Sequence, residues 1–257
     1  MFLEAQRSGK LPADNRIHWR GDSALDDGKE ANVDLVGGYY DAGDNVKYGM
    51  PMAFTITTLA WSAIAYEKEL KAAGEMGNVH SAIRWGTDYF LKCGKKRGIF
   101  YVEVGDPVED HKCWVRPETM KTPRTVLQIN ETVPGTEIAA ETSAAMAASS
   151  IVFRYVDPPY ARRLLNKAKS DELLWAASWL YTATKDQKFR KFITEEAVSA
   201  VVDEFNWDLK YAGIQVLLSD TFLQSNDEAL KIFKDHADSY ICSVLPQSPY
   251  FKVPKTP

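Results

Sequence analysis

Residues 37–45 read Gly-Gly-Tyr-Tyr-Asp-Ala-Gly-Asp-Asn, a glycine-rich turn that carries two carboxylates shortly before a long helical pattern. Asp41 and Asp44 are three positions apart in this turn. Neighbouring acids push their proton affinities apart, which lets two carboxylates take different roles in acid–base chemistry. Two other interpretations remain open. The aspartates could cap the turn, as an isolated Asp-x-x-Asp usually does, or form a calcium loop, although the alternating ligands and distal glutamate of an EF-hand are absent.

The helical pattern begins directly after this turn. Pro51 suits a first helical position, and apolar residues then recur at helical spacing up to Gly74. A second helix is predicted from an Asn78 N-cap to a Gly94 C-cap. Such helices in succession indicate an all-α fold of layered or toroidal architecture. Further helices are predicted over 135–154, from 158, from Ser170-Asp171-Glu172, and over 186–204, 209–219 and 226–244.

Four segments do not fit the amphipathic helix pattern. Residues 8–49 are dense in Gly, Asp and Asn and predict loops rather than a sheet. Residues 99–104 alternate weakly, which predicts one short strand. Residues 105–134 contain four prolines and predict a long irregular loop, a feature that is often functional. Residues 159–169 carry four cationic side chains and few bulky apolar ones, so this helix is predicted to lack a proper apolar stripe.

The composition places the chain among ordinary globular proteins. Its 257 residues are 45% hydrophobic and 26% charged, with a net charge of −4. This balance argues against a nucleic-acid partner. The three cysteines make no paired framework and no Cys-x-x-Cys motif, so neither a disulfide framework nor a zinc site is predicted. No uninterrupted apolar run reaches the length of a membrane span, and the polar residues directly after Leu3 predict no signal peptide. We predict a single partial domain over residues 1–257, with the four tryptophans at 61, 85, 175 and 179 in its core.

A second candidate site lies in the proline-rich loop. His111, Trp114 and Arg116 fall within six residues, and these side chains can hydrogen-bond and stack on a flat polar ligand such as a sugar ring. Alternatively, one aromatic residue anchors the loop on the core. His111 and Cys113 would need further partners to bind a metal, so no metal and no cofactor are predicted here.

Other chemistry-bearing motifs are weak or missing in the sequence. Asn130-Glu131-Thr132 is a glycosylation sequon that matters only if the chain is secreted. The sequence contains no Gly-x-Ser-x-Gly elbow, no Gly-x-Gly-x-x-Gly fingerprint and no P-loop. Serine-hydrolase, dinucleotide-dependent and nucleotide-hydrolysing functions are therefore not supported.

The motifs taken together resemble glycoside hydrolase family 9, the endo-β-1,4-glucanases or cellulases, and most closely the plant members. The resemblance covers nearly the whole chain, from Phe2 to about Leu245, with the motifs in order. They are Gln6-Arg7-Ser8-Gly9-Lys10-Leu11-Pro12, Trp19-Arg20-Gly21-Asp22-Ser23, Asp34 to Asn45, Pro51-Met52-Ala53-Phe54-Thr55, Arg84 to Tyr89, Val104-Gly105-Asp106-Pro107, Asp110 to Glu118, Ala139-Ala140-Glu141-Thr142 and Asp171-Glu172-Leu173-Leu174-Trp175.

This resemblance implies an (α/α)6 barrel, incomplete in this chain, that hydrolyses β-1,4-glucan chains with inversion. An inverting enzyme needs a base to activate water and an acid to protonate the leaving oxygen. The resemblance assigns the base to Asp44 and the holding of the water to Asp41. It makes His111 and Trp114 contacts for glucosyl units, with Arg116 a further candidate in the same loop.

Three departures from the family pattern shape our expectations. The family continues well past residue 257, with a segment that carries a cleft histidine motif and the general acid, so no residue here receives the acid role. An internal segment is missing between Lys169 and Ser170. Some bacterial members bind calcium there, but only Asp171, Glu172 and Asp208 would remain here, and calcium is not predicted. Family members are secreted or membrane-anchored, whereas this sequence shows no signal for export.

Three hypotheses follow for this chain. The first is a β-1,4-glucanase by descent that does not hydrolyse glucan at a useful rate, because losing a general acid forfeits about 10²–10⁴-fold. The second is a non-catalytic glucan-binding remnant. The third is an unstable fragment, since unpaired helix faces favour aggregation. If the chain folds, a monomer is expected.

Overall fold

The structure is a computed structural model that describes residues 1–168, 174–196, 204–206 and 209–251. The chain divides into two compact units, Met1–Asp171 and Glu172–Pro257. All candidate site residues of the sequence belong to the first unit. The prediction of a single partial domain over 1–257 stays a prediction.

The head of the first unit is built from turns, as its composition predicts. It contains two isolated β-bridges, Arg7 with Tyr39 and Gly9 with Ser23. Gly38 in this head has a φ of +75°, and a Cβ there would lie 2.8 Å from the Tyr89 ring. Only glycine fits that position, because it combines a left-handed backbone with close approach to a buried aromatic ring.

Seven helices follow one another among the described residues of the first unit. Helices α2, α4, α6 and α7 form its packed part, with α6 lying against α2 and α7, and α2 against α4. Helix α6 is alanine-rich and buries eleven consecutive residues from Ala140 to Ser150, which lets its neighbours approach closely. The bounds are α1 Phe2–Ala5, α2 Gly49–Ala65, α3 Glu67–Ala72, α4 Met76–Cys93, α5 Pro107–Asp110, α6 Thr136–Val152 and α7 Pro158–Ala168.

Two predicted helix boundaries of the first unit are wrong, and in the second unit the helix predicted over 209–219 continues to Ser225. The pattern from Pro51 to Gly74 forms two helices, because the backbone of Tyr66 leaves helical geometry at φ −117° and ψ 33°. The next helix begins at Met76 rather than after Asn78. The side-chain amide of Asn78 instead donates to the Glu75 carboxylate within the first turn. The Gly94 C-cap is confirmed.

A three-stranded antiparallel sheet accompanies the helices. Its strands are β1 Lys47–Tyr48, β2 Ile99–Val104 and β3 Val126–Asn130, in the order β1-β2-β3. The strand at 99–104 is confirmed. The predictions of no sheet and of a wholly irregular 105–134 are wrong: β1 is only two residues long, and β3 has no alternating burial, so neither shows the period of two that marks a strand.

The prediction that residues 159–169 lack an apolar stripe is also wrong. Helix α7 buries Tyr160, Ala161, Leu164 and Ala168, which share one helical face. The sequence does not reveal this stripe because two of its four buried residues are alanines rather than bulky apolar residues. The hydroxyl of Tyr160 also donates to Asp88 at 2.7 Å, so this face carries its own polar contact.

The second unit contains four helices among its described residues. Trp175 and Trp179 are buried in α8, as predicted, with their rings packed edge to face. In the first unit, by contrast, Trp61 and Trp85 are half-buried rather than core residues. The predicted helix start at Ser170-Asp171-Glu172 lies outside the described residues. The bounds are α8 Leu174–Thr184, α9 Gln187–Glu196, α10 Tyr211–Ser225 and α11 Lys231–Val244.

The three cysteines are free, with Cys93 buried, Cys113 exposed and Cys242 half-buried. Within the described ranges, none of the helices combines the length and the apolar character that crossing a bilayer requires.

Candidate active site

Asp41 and Asp44 stand at the two ends of one tight turn. The amide of Asp44 donates to the Asp41 carbonyl at 2.7 Å, and the amide of Asp41 donates to the Val46 carbonyl at 3.1 Å. Ala42 inside the turn has a φ of +36°. The turn thus presents both carboxylates from one short, hydrogen-bonded piece of backbone, and β1 follows directly.

Two side chains among the described residues contact the Asp44 carboxylate. Nε2 of His111 lies 3.0 Å from Asp44 Oδ2, and the Tyr48 hydroxyl donates to the same oxygen at 3.3 Å. Asp44 is about one-quarter exposed and His111 more than half exposed, so solvent and ligands reach this pair. The structure therefore brings the glycine-rich turn of residues 37–45 into contact with the loop that carries His111.

The charge of Asp44 raises the pKa values of three neighbouring side chains. Burial, with the nearby charge of Asp44, raises the pKa of Asp41 above its usual range. The hydrogen bond and charge of Asp44 raise the pKa of His111. Burial and the charges of Asp44 and Glu103 raise the pKa of Tyr48 to about 12, so its hydroxyl keeps its proton throughout the physiological range.

A small cavity adjoins the turn. It has a volume of about 110 Å³, and its wall includes Asp41, Tyr48, Met52 and Thr55. This space is larger than one water molecule needs.

Trp114 is exposed almost completely, at 91% of its surface. The edge of its ring lies over Gly43, where an added Cβ would come within 3.1 Å of the Trp114 Cη2 atom. A large apolar ring held in solvent beside two carboxylates fits the stacking of a sugar ring better than the anchoring of a loop on the core.

Arg116 is bound differently from the other predicted site residues. Its guanidinium donates to the Trp19 carbonyl at 2.9 Å and pairs with Glu118 at 3.4 Å. These contacts are structural and do not involve Asp44 or His111. Glu118 in turn accepts hydrogen bonds from Arg20 and from the Gly21 amide, which together hold its pKa below the usual range despite burial.

Two site residues escaped the sequence reasoning. Tyr48 lies four positions after Asp44. Outside a helix, this spacing does not predict that the Tyr48 hydroxyl contacts the Asp44 carboxylate. Asp110 immediately precedes His111, and its Oδ2 accepts from the Asn45 amide at 2.9 Å. Asp110 is a buried acid in an exposed loop motif. Its burial marks it as a site residue, and burial cannot be deduced from the loop sequence.

The same residues contain a group of possible cation-binding atoms. One side-chain atom each from Asp44, Asp110 and His111 lies within 4.8 Å of the others. The Asp110 carboxylate already accepts from Asn45, and the Asp44 carboxylate from Tyr48. The absence of a metal and of a cofactor stays a prediction. The calcium candidates Asp171, Glu172 and Asp208 lie outside the described residues.

Comparison with known proteins identifies the family behind this geometry. The family model described as Glycosyl hydrolase family 9 matches residues 1–170 and 169–257 of the chain. The chain belongs to glycosyl hydrolase family 9. The two matched pieces meet where the sequence predicts the loss of an internal segment. An alignment of 283 residues with one relative, longer than this 257-residue chain, agrees with that loss.

Relatives and solved structures in family 9 resemble the chain along its whole length. Endoglucanase 16 of Arabidopsis thaliana is 60% identical over 100% of this chain and 58% of its own length. The endoglucanase of the termite Nasutitermes takasagoensis has a TM-score of 0.82 and 38% identity, over 96% of this chain and 63% of its own. Endoglucanase CelQ of Clostridium thermocellum, solved with cellotetraose, has a TM-score of 0.78 and 25% identity, over 98% and 45%.

These likenesses confirm the predicted fold class, an all-α incomplete (α/α)6 barrel. They also confirm the resemblance to plant endoglucanases. The chain spans somewhat more than half the length of the curated family 9 relatives that it matches.

Proposed function

We propose that this family 9 chain binds β-1,4-glucan beside Asp44 and that Asp44 is the base of an inverting glycoside hydrolysis. The observation that carries the proposal is the Asp44 carboxylate itself. It is partly exposed, accepts hydrogen bonds at one oxygen, and directly follows Gly43, which the edge of the Trp114 ring approaches. Family membership supports the reaction class, and the plant endoglucanases support the substrate class.

The arrangement around Asp44 suits the activation of water. The contacts of Tyr48 and His111 are both made to Oδ2, which leaves Oδ1 as the oxygen to take a proton from water. The raised pKa of His111 keeps more of this ring in the cationic form next to the carboxylate. Asp41 lies in the same hydrogen-bonded turn as Asp44, and we assign it the holding of the attacking water.

Substrate binding falls to the exposed side chains. Trp114 offers an open ring face, and His111 offers the polar groups of a ring that is more than half exposed. CelQ, solved with cellotetraose, shares the fold and supports a cello-oligosaccharide as the ligand class. Arg116 stays a secondary candidate, because its guanidinium is occupied by Trp19 and Glu118.

No residue of this chain is assigned the role of general acid. Glu118 is bound to Arg20, and Glu141 is buried and accepts from Thr57 at 2.8 Å. Glu137 lies in the first turn of helix α6. We therefore propose that the 257-residue chain alone binds glucan without hydrolysing it at a useful rate. Its plant relatives support a proposed site of action outside the cell.

Calorimetric titration with cellohexaose tests the binding proposal. The chain is expected to bind, Asp44→Asn is expected to retain binding, and Trp114→Ala is expected to weaken it by about two- to tenfold, as a lost aromatic contact does. Tyr155→Ala is the control, because Tyr155 is equally exposed but follows helix α6. Equal affinities for Trp114→Ala and the unaltered chain would refute the assigned binding surface.

A further inference from the structure

The turn that carries Asp44 rests on a buried group of three charged side chains. Asp27 has an entirely buried carboxylate that accepts from Lys47 Nζ at 2.7 Å and from Arg124 Nε and Nη2 at 2.8 and 3.0 Å. Lys47 is also completely buried, whereas Arg124 is slightly exposed. None of the three carries a role in the reaction proposed above.

The two cations reach the backbone on both sides of the turn. Lys47 Nζ donates to the carbonyls of Leu35 and Gly37 at 2.6 and 3.0 Å, where the glycine-rich turn of residues 37–45 begins. Arg124 Nη1 donates to the carbonyl of Asn45, directly after Asp44. The carboxylate of Asp27 orients both donors. One buried anion therefore fixes the backbone where the turn begins and where it ends.

Stability alone does not account for this group. Burying charges costs several kcal/mol per ion, and well-packed apolar residues often replace a buried ion pair at no loss of stability. Burial lowers the pKa of Lys47 to about 8, against the opposing effect of Asp27, which records that cost. What apolar side chains cannot supply is the set of directed hydrogen bonds to three carbonyls.

A further set of bonds connects the turn to the His111 loop. The Asn45 amide donates to Asp110 at 2.9 Å, and the Asn45 side chain donates to the Val115 carbonyl at 3.2 Å. Asp110 and Val115 lie on either side of His111 and Trp114. Displacing Asn45 would therefore change the distance between Asp44 and His111.

We propose that Asp27, acting through Lys47 and Arg124, is a positioning residue that holds the Asp44 carboxylate against His111. This inference rests on the proposed function for the importance of Asp44. Its geometric content is independent of glucan binding and of hydrolysis, so it can fail or succeed separately.

Titration of the His111 ring by NMR tests the proposal. Asp44→Asn sets the reference, because it removes the partner and is expected to lower the His111 titration midpoint. Asp27→Asn keeps the shape of the side chain but removes its charge. It is expected to lower the His111 midpoint by at least half of the change that Asp44→Asn produces, while binding of cellohexaose is measured separately.

Two further variants keep the test decisive. Asp227→Asn removes the carboxylate partner of Arg190 in the second unit, and it is expected to lower the melting temperature without moving the His111 midpoint. If Asp27→Asn does not fold, Arg124→Gln replaces it, since Arg124 is less buried and makes the bond to Asn45. A folded Asp27→Asn or Arg124→Gln with an unchanged His111 midpoint would overturn the proposal.

Discussion

Asp44 and His111 make a contact whose strength depends on pH. The pKa of His111 is raised above its ordinary value near 6.5 because its ring pairs with the Asp44 carboxylate. A group whose pKa rises on folding contributes stability that is fully present below the unfolded pKa and is lost as the pH rises through the folded pKa. The loss of stability caused by Asp44→Asn is therefore expected to be larger at pH 5.5 than at pH 8.5, measured by urea unfolding. An equal loss at both pH values would contradict the pairing.

The close approach of Trp114 to Gly43 leads to a second prediction about a single residue. An added methyl group would come within 3.1 Å of Trp114, so Gly43→Ala is expected to push this exposed ring aside. Affinity for cellohexaose should fall about two- to tenfold, with little change in melting temperature, because Trp114 buries almost no surface. Gly77→Ala adds the same methyl group where nothing lies within 4 Å, and it should leave affinity unchanged. Similar affinities for the two variants would contradict the assignment.

At the scale of elements, helix α7 offers a direct comparison of two neighbouring leucines. Leu164 is fully buried, whereas Leu165 is only half-buried. Leu164→Ala is expected to cost about 2–5 kcal/mol of unfolding free energy, the range for a cavity in a packed core, and Leu165→Ala clearly less. Urea unfolding of both variants measures the difference. Equal costs would restore the view that this helix has no buried face.

The elements that the sequence predicts well are those with a strong period or cap. The helices that became α2, α4 and α6 show apolar or small residues at helical spacing, and Gly94 ends its helix as expected. Strand β3 was missed because its burial follows pairing with β2, from Ile99 with Asn130 to Val104 with Val126, rather than an alternating sequence. Pairing between residues that are 22 to 31 positions apart leaves no local signal that a single sequence can show.

The candidate site was predictable in part for a similar reason. Asp41, Asp44, His111 and Trp114 stand in dense, chemistry-bearing motifs, and their residue types mark them. The supporting contacts were hidden, because Asp27 reaches Arg124 across 97 residues and Asn45 reaches Asp110 across 65. Such contacts depend on the folded loops and not on any spacing within the chain.

At the scale of the whole molecule, the chain carries the proposed base but no assigned acid. An inverting hydrolysis needs both groups, and the loss of proton transfer to the leaving oxygen costs about 10²–10⁴-fold in rate. Binding and hydrolysis are therefore expected to separate in this chain. The surface around Trp114 is expected to bind glucan, whereas the chain is not expected to hydrolyse it.

Hydrolysis of carboxymethyl-cellulose by the purified 257-residue chain, compared with Asp44→Asn, tests whether glucan binding occurs without turnover. The release of reducing ends measures turnover, and cellohexaose titration of the same samples confirms that the protein is folded and binds. We expect no release above background from either protein. Release by the unaltered chain that Asp44→Asn abolishes would contradict this expectation, because another carboxylate of this chain would then supply the acid.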